Sequence, residues 1–484
     1  MEPRANDLFV GMKRLGDYLE DVGEKKTLRL AEVLNDLDWS VFESRYKGSG
    51  RAPYAPRLMV GLVMYGLIKG VSSLRGLESL ARVDLGCMWV CSGIQPDHSN
   101  LGRFILRHQQ EFEGDFFEQV ARQALAATRT GVSDVAADGT VIQAAASTYR
   151  TLKREALDEK LAKARQDSSD DPDDEDKSSK RKKYEEADAA LSPREEKRRA
   201  KGKPTQTLRV STTEPDAPVQ KQKNGSFSPG YIPSVLANRA RIVVGQAVDP
   251  TSESDVLETM LDQAEAIGGS VVKRLLVDGN YCNETTINLA LSRDLDLLCP
   301  ERGEKPKPTK KFPKSEFVFD EVRDAYRCPA GHELTARSRS EKKGYVQYET
   351  RACKACPVRQ KCVSTTTGRG RIIRRLALDD SKDALRAVMK QPAAKKAYAQ
   401  RKAMVEPVFS SFSGNMNFRR FRRKGLAKVK LELAILAAAH NLSRTPVVGV
   451  CRLLQLIYAL TKPLTAFTPQ YRDLRSTTSI SLCQ

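Results

Sequence analysis

Apolar residues recur at three- and four-residue steps through "TLRLAEVLNDLDWSVFESRY" (27–46) and "PRLMVGLVMYGLIKGVSSLRGLESLARV" (56–83), which predicts amphipathic helices, with Pro56 placed to start one. "PDHSNLGRFILRHQQEFEGDFFEQVARQALA" (96–126) continues the pattern behind Asp97 or Ser99 as an N-cap. Residues 1–128 therefore read as an all-helical N-terminal domain, for DNA binding or for assembly. The period then shortens. "VSDVAADGTVIQAAAS" (132–147) is a short β-branched run with Asp138 near its end, as expected of a buried strand (core segment 129–150). Residues 151–229 are polar and carry an acidic block beside a basic one, which predicts a solvated, mostly mobile insert, either a linker or a fraying helical hairpin.

Alternation returns in "RIVVGQAVDP" (241–250), followed by the helical "SDVLETMLDQAEAIG". "VKRLLVDGNYCNETTINLALSRDLDLLCP" then reads as strand, turn, helix, strand, with Asp278 closing the apolar run. Strands alternating with helices over 230–300 predict an α/β fold with a mixed sheet, whose ligands gather at the carboxyl ends of strands, and the helical 376–445 reads as the last part of that core. The 446–484 tail reads as one further helix and then disorder.

Charge narrows the class. The 484 residues hold 81 Lys and Arg against 61 Asp and Glu, a net +20, as expected of a partner for a polyanion, nucleic acid first of all. The start has no basic segment followed by an apolar one, and the most apolar stretch, 58–68, is about half the length needed to span a bilayer. A cytoplasmic protein with no membrane partner is the expectation, and in that compartment ten cysteines point to metal or buried thiols rather than disulfides.

Four of these cysteines fall in a 301–375 insertion, "YRCPAGHELTARSRSEKKGYVQYETRACKACPVRQKC". Cys328, Cys353, Cys356 and Cys362, with His332 nearby, have the spacing of a tetrahedral structural zinc site. Four reduced thiols are the alternative. The segment has few large apolar side chains, so metal binding would supply much of its stability. Cys87 and Cys91 lie on an apolar helix and read as core, as does His440 in the helical "LAKVKLELAILAAAHNLSR".

Asp138 and Asp278 each end a strand, and Glu406 lies in a helical region. Three carboxylates converging at strand ends suit two divalent ions in phosphodiester chemistry. Downstream, "NFRRFRRKGLAKVK" (417–430) carries seven basic residues and no acid, including Arg419, Arg420, Arg422, Arg423 and Lys424. Phe418 and Phe421 alternate with them, a pattern for phosphate contacts anchored in a core. "GRGRIIRRL" (368–376) reads as a strand beside the same groove. Pro407, which cannot continue an unbroken helix, predicts a kink or restart near Glu406 with the proline at the first position of the new segment.

"VAADGTVIQAAAS", "IVVGQAVD", "LLVDGNY" and "YAQRKAMVEPVFSSFSGNMNFRRFRRKG", with "SSLRGLE" and "PDHSNLGRF" upstream, resemble the DDE transposases of bacterial insertion sequences, most like the eleven-eighty-two group, whose members carry a cysteine insertion before the last acid. The resemblance implies a ribonuclease-H-like core interrupted by insertions. It also implies two Mg2+ or Mn2+ ions on Asp138, Asp278 and Glu406, and cleavage of double-stranded DNA at the element's ends followed by strand transfer. Tyr398 and Arg401 resemble the family's tyrosine and arginine ahead of the glutamate, which orient backbone phosphates or the helix itself. Holding two DNA ends implies a homodimer or larger synaptic assembly. The family's lysine after the glutamate is replaced here by Ser413, which removes one phosphate contact. An inactivated DNA-binding relative and a stand-alone metal-dependent nuclease are the rival readings.

Overall fold

The computed structural model describes residues 8–46, 53–200, 202–301, 312–341, 344–363 and 370–445; the helix and tail expected beyond 446 lie outside them. From Leu15 to Thr128 the chain is mainly helical. Helix α1 (Pro56–Ile68) starts on its proline and is buried along nearly its whole length. Asp97 caps the helix His98–Arg107 by accepting from the Asn100 amide at 2.7 Å. Helix α2 (Phe117–Thr128) ends at Arg129, which takes a left-handed conformation. No helix among the described residues is long and apolar enough to cross a membrane.

The central sheet holds β1 (Asp134–Gly139), β2 (Phe227–Asn238), β3 (Val243–Asp249), β4 (Arg274–Leu276) and β5 (Asp296–Leu298). β2 runs antiparallel to both β1 and β3, whereas β4 is parallel to β1 and to β5, giving the order β3-β2-β1-β4-β5. Successive parallel strands of a sheet, adjacent or not, need crossovers. Helix α3 (Leu257–Gly268) makes the one from β3 to β4, and α4 (Glu284–Ser292) the one from β4 to β5. α3 lies so close to β3 that a Cβ on Gly245 would stand 2.4 Å from the carbonyl oxygen of Met260.

Of the two readings of the insert, linker or helical hairpin, the structure has the hairpin over 154–200, with paired helices Arg154–Asp170 and Glu175–Ala200 that share a small core instead of being solvated on every side. Leu157, Leu161 and Ala164 of the first meet Tyr184, Ala187 and Leu191 of the second, and Arg154 crosses to Asp188 and Glu195. A few apolar residues at helical spacing within a polar composition are enough to bury one face.

The cysteine-containing insertion is an antiparallel sheet of β6 (Val318–Asp320), β7 (Ala325–Arg327), β8 (Glu333–Ser340), β9 (Tyr345–Glu349) and β10 (Ile373–Leu376), in that order. Contrary to the expectation that it lacks apolar bulk, it has its own core of Phe317, Tyr326, Leu334, Tyr348 and Ile373. The end of the "GRGRIIRRL" stretch, read as a strand, is β10, which pairs with β9 of this sheet. Arg375 there lies over the Phe319 ring at 3.5 Å and pairs with Asp380 and Asp383.

After the helix Pro392–Tyr398 the chain breaks at residues 399–400 and restarts as α5 (Arg401–Ser410), which runs into a π-helical turn at Ser411–Asn415. The restart expected at Pro407 therefore falls six residues earlier, and the proline lies inside α5. Its missing N–H leaves the Ala403 carbonyl without a helical donor. Arg241, at the β2–β3 turn with φ +65, donates to that oxygen from Nε at 3.0 Å instead.

The last described helix, α6 (Leu426–Arg444), packs on α1, α2 and β3, so the N-terminal helices and the sheet share one hydrophobic core. At the edge of β3, Asn441 on α6 accepts from the Val243 N–H and donates to the Val243 carbonyl, each at 2.8 Å. The amide side chain occupies the position of a neighbouring strand.

Candidate active site

Asp138 is the fifth residue of β1. Ala136 pairs with Leu276 of parallel β4, so Asp278, two residues past Leu276, comes level with Asp138 at the carboxyl ends of adjacent strands. Asp278 Oδ1 accepts from the Asn280 amide at 2.8 Å, starting the short helical turn Gly279–Tyr281, and its carbonyl accepts from Cys299 Sγ at 3.2 Å. Asp138 Oδ1 meets Arg401 Nη2 at 3.0 Å; Arg401 is only 6 % exposed and also faces the Ala137 carbonyl. Burial raises the Asp138 carboxyl above the usual range, Arg401 opposes this, and the charge of Asp278 adds to it.

A third acid of this neighbourhood is absent from the sequence-derived set. Glu253, in the loop from β3 to α3, is pushed up to about 7 by burial, then by the charges of Asp278 and Asp138. A Cβ on Gly139 would lie 2.8 Å from both Glu253 Oε2 and Ser234 Oγ. Ser234 pairs with Gly139 across β1 and β2. Ser234 Oγ and the Tyr281 hydroxyl are close to one another, fully buried, and neither is in a well-formed hydrogen bond. Tyr281 is held far above its ordinary value by burial and by Glu253, Asp138 and Asp278. In the sequence Glu253 sits in "DPTSESD", a turn-like stretch in which no spacing marks it.

Helix α5 presses Arg401, Met404, Val405 and Val408 against β1 and β2 and leaves Glu406 exposed on its other side. The structure thus brings together Asp138, Asp278, Glu253 and Arg401, with half-buried Tyr398 beside them, and Glu406 lies exposed on the helix that carries Arg401. The donors are hard oxygens, which suit a divalent cation, and the two buried hydroxyls, neither in a well-formed hydrogen bond, stand next to them. Among the described residues, however, no group of three or more His, Cys, Asp or Glu side chains is already arranged to hold a metal ion. Ser413 donates to the Phe409 carbonyl at 3.0 Å within the π-helical turn.

In the basic stretch Phe418 and Phe421 are buried against each other, and Phe421 also meets Tyr231. Arg419, Arg422 and Lys424 are exposed. Arg420 donates to the Ala144 and Ala146 carbonyls at 2.8 and 2.7 Å, and half-buried Arg423 faces Glu432, so Arg401 and Arg420 are committed to protein contacts. Cys328, Cys353, Cys356 and Cys362 line one cavity together with His332. Burial raises the Cys362 thiol; Arg371 opposes this and the other three sulfurs add to it. Cys87 and Cys91 are fully buried, and buried His440 places Nε2 on the Arg241 carbonyl at 2.9 Å.

Two family models match the chain, one described as Transposase DDE domain over residues 327–445 and one as Transposase domain (DUF772) over residues 17–107. No curated protein matches it. The first match spans most of the cysteine insertion, α5 with Glu406, the basic stretch and α6; the second spans most of the N-terminal helices; Asp138, Glu253 and Asp278 lie between them. Both matches are to transposase domains, one of them the DDE domain, and together they are consistent with a DDE transposase of insertion sequences.

Proposed function

We propose that the protein cuts double-stranded DNA at the ends of an insertion sequence and joins the freed ends to a target, using a ribonuclease-H-like core. The observation that carries this reading is Asp138 and Asp278 level with one another at the carboxyl ends of neighbouring parallel strands, within the order β3-β2-β1-β4-β5. Mg2+ or Mn2+ held there would supply Lewis-acid activation of the attacking and leaving oxygens. The chain's own part is to place the oxygens. Arg401 orients Asp138 from beneath. The turn at Asn280 fixes Asp278. Glu406 would supply a further carboxylate from α5, the helix whose Arg401 already reaches Asp138. Exposed Arg419, Arg422 and Lys424 would hold the DNA backbone, and two ends in one complex require at least a dimer. Cys328, Cys353, Cys356 and Cys362 would hold a structural zinc.

The test is an end-cleavage and strand-transfer assay with Mg2+ on the native chain and on Asp138→Ala, Asp278→Ala and Glu406→Gln. Loss of both reactions in all three, with DNA binding kept, supports the reading. Activity that survives all three changes sinks it. Binding without cleavage in the native chain would make the protein a DNA-binding relative, and cleavage without joining a nuclease.

A further inference from the structure

Glu253 is the one carboxylate beside Asp138 and Asp278 that neither the motif order nor the basic stretch accounts for. Its position is built, not incidental. Asp249 Oδ1 accepts from the amides of Thr251 and Ser252 at 2.6 and 2.7 Å, folding the chain back directly after β3. Asn283 Nδ2 then donates to Ser254 Oγ at 2.7 Å, tying the loop to the start of α4. Between these two anchors the Glu253 side chain crosses over Gly139, the residue after Asp138, in space that any larger residue would fill: an alanine Cβ would meet Oε2 at 2.8 Å and the glutamate's own Cβ at 3.1 Å. Ser234 Oγ points into the same space at 2.8 Å, and Tyr281 closes it from the Asp278 side. Both hydroxyls are fully buried and lack a well-formed hydrogen bond, although buried polar groups are nearly always paired. The single cation facing the three acids, among the groups that most affect Glu253, is Arg401, and its ion pair is with Asp138. A half-buried carboxylate among like charges is costly unless a cation joins it.

We infer that Glu253 is a further ligand of the divalent-cation site at Asp138 and Asp278, held over Gly139 by the loop after β3, with Ser234 and Tyr281 lining the same chamber. The inference rests on the reading of those two aspartates as the cation-holding pair. Glu253 reaches the site from the β3 side, whereas Glu406 belongs to α5, so the two acids are separable by mutation.

The experiment is Mn2+ binding to the full-length protein without DNA, followed by the electron paramagnetic resonance of free Mn2+. Glu253→Gln is expected to weaken binding roughly 10- to 100-fold, the size of effect seen when even an outer partner of a metal ligand is removed. Its melting temperature without metal should be equal to or above that of the native chain, since a repelling charge has gone. Gly139→Ala, which displaces Glu253 without removing it, should weaken Mn2+ binding in the same direction, and it serves as the readout should Glu253→Gln fail to fold. Native affinity in Glu253→Gln, with affinity lost in Asp138→Asn, overturns the assignment of Glu253 and leaves the aspartate pair standing. Native affinity in Asp138→Asn and Asp278→Asn as well overturns the underlying reading together with it.

Discussion

His440 is held in the neutral form: burial drives it down to about 4 and the charge of Arg444 adds to this, against the Arg241 carbonyl at its Nε2, which favours the charged ring. Its ordinary value is 6.5, so between about 6.5 and 4 the unfolded chain binds a proton that the folded chain does not. The stability this residue contributes is full above that window and is lost as pH falls through it, by about 3 kcal/mol at the acid end. Denaturant titrations of the native protein and His440→Gln at a series of pH values should converge as the pH is lowered; parallel curves would contradict the assignment. Single residues also mark where the sequence is readable. Asp138 and Asp278 stand out because each ends an apolar β-branched run, and Cys87, Cys91 and His440 because they lie on apolar helices. Glu253 does not, since only the antiparallel return of β2 and β3 carries its loop over Gly139. Arg420 reads as a phosphate ligand for the same kind of reason: the carbonyls it serves instead, at Ala144 and Ala146, are remote in sequence.

At the level of elements, periodicity predicts the strands and crossover helices well, because each has to bury a face at its own repeat. What it cannot weigh is compensation from elsewhere. Pro407 forbids an unbroken hydrogen-bond ladder, but a guanidinium from the β2–β3 turn serves the orphaned carbonyl, and the helix passes through the proline. The cysteine insertion shows a similar substitution of one source of order for another. Its five strands enclose an aromatic cluster with Phe319, Tyr326 and Tyr348 rings 5.0 to 5.9 Å apart, so the sheet has a core independent of any metal. The cysteines lie mainly in the turns around it, at 328 and at 351–362. Cys353→Ser combined with Cys356→Ser should therefore release zinc and expose the 351–363 turns to protease while β6 to β10 stay folded. Elemental analysis before and after is the check, and a native protein that is purified without zinc refutes the site.

For the whole molecule, the net charge of +20 becomes a surface property only where arginine and lysine are not tied to protein groups. Arg419, Arg422 and Lys424 meet that condition at one end of the site-bearing helices, whereas Arg375, Arg401 and Arg420 do not. Replacing the three exposed residues with alanine should lower the slope of log affinity for DNA against log salt by about 0.9 for each phosphate that is no longer neutralised, nearly equally for all sequences. Filter-binding titrations from low to moderate salt measure it, and an unchanged slope would move the DNA elsewhere on the surface.

The Asn441 amide that closes the edge of β3 has a bearing on how the protein is made. During synthesis, β1 to β5 leave the ribosome long before residue 441, so β3 waits with an open edge and an uncovered apolar face while the cysteine insertion is translated. A chain cut short before α6 would carry both acids of the strand pair yet present that edge to any other strand, a route to aggregation. The order of translation thus ties the completion of the sheet to the arrival of the basic stretch and its helix, so a nascent chain carries exposed Arg419, Arg422 and Lys424 only when the sheet is about to be covered.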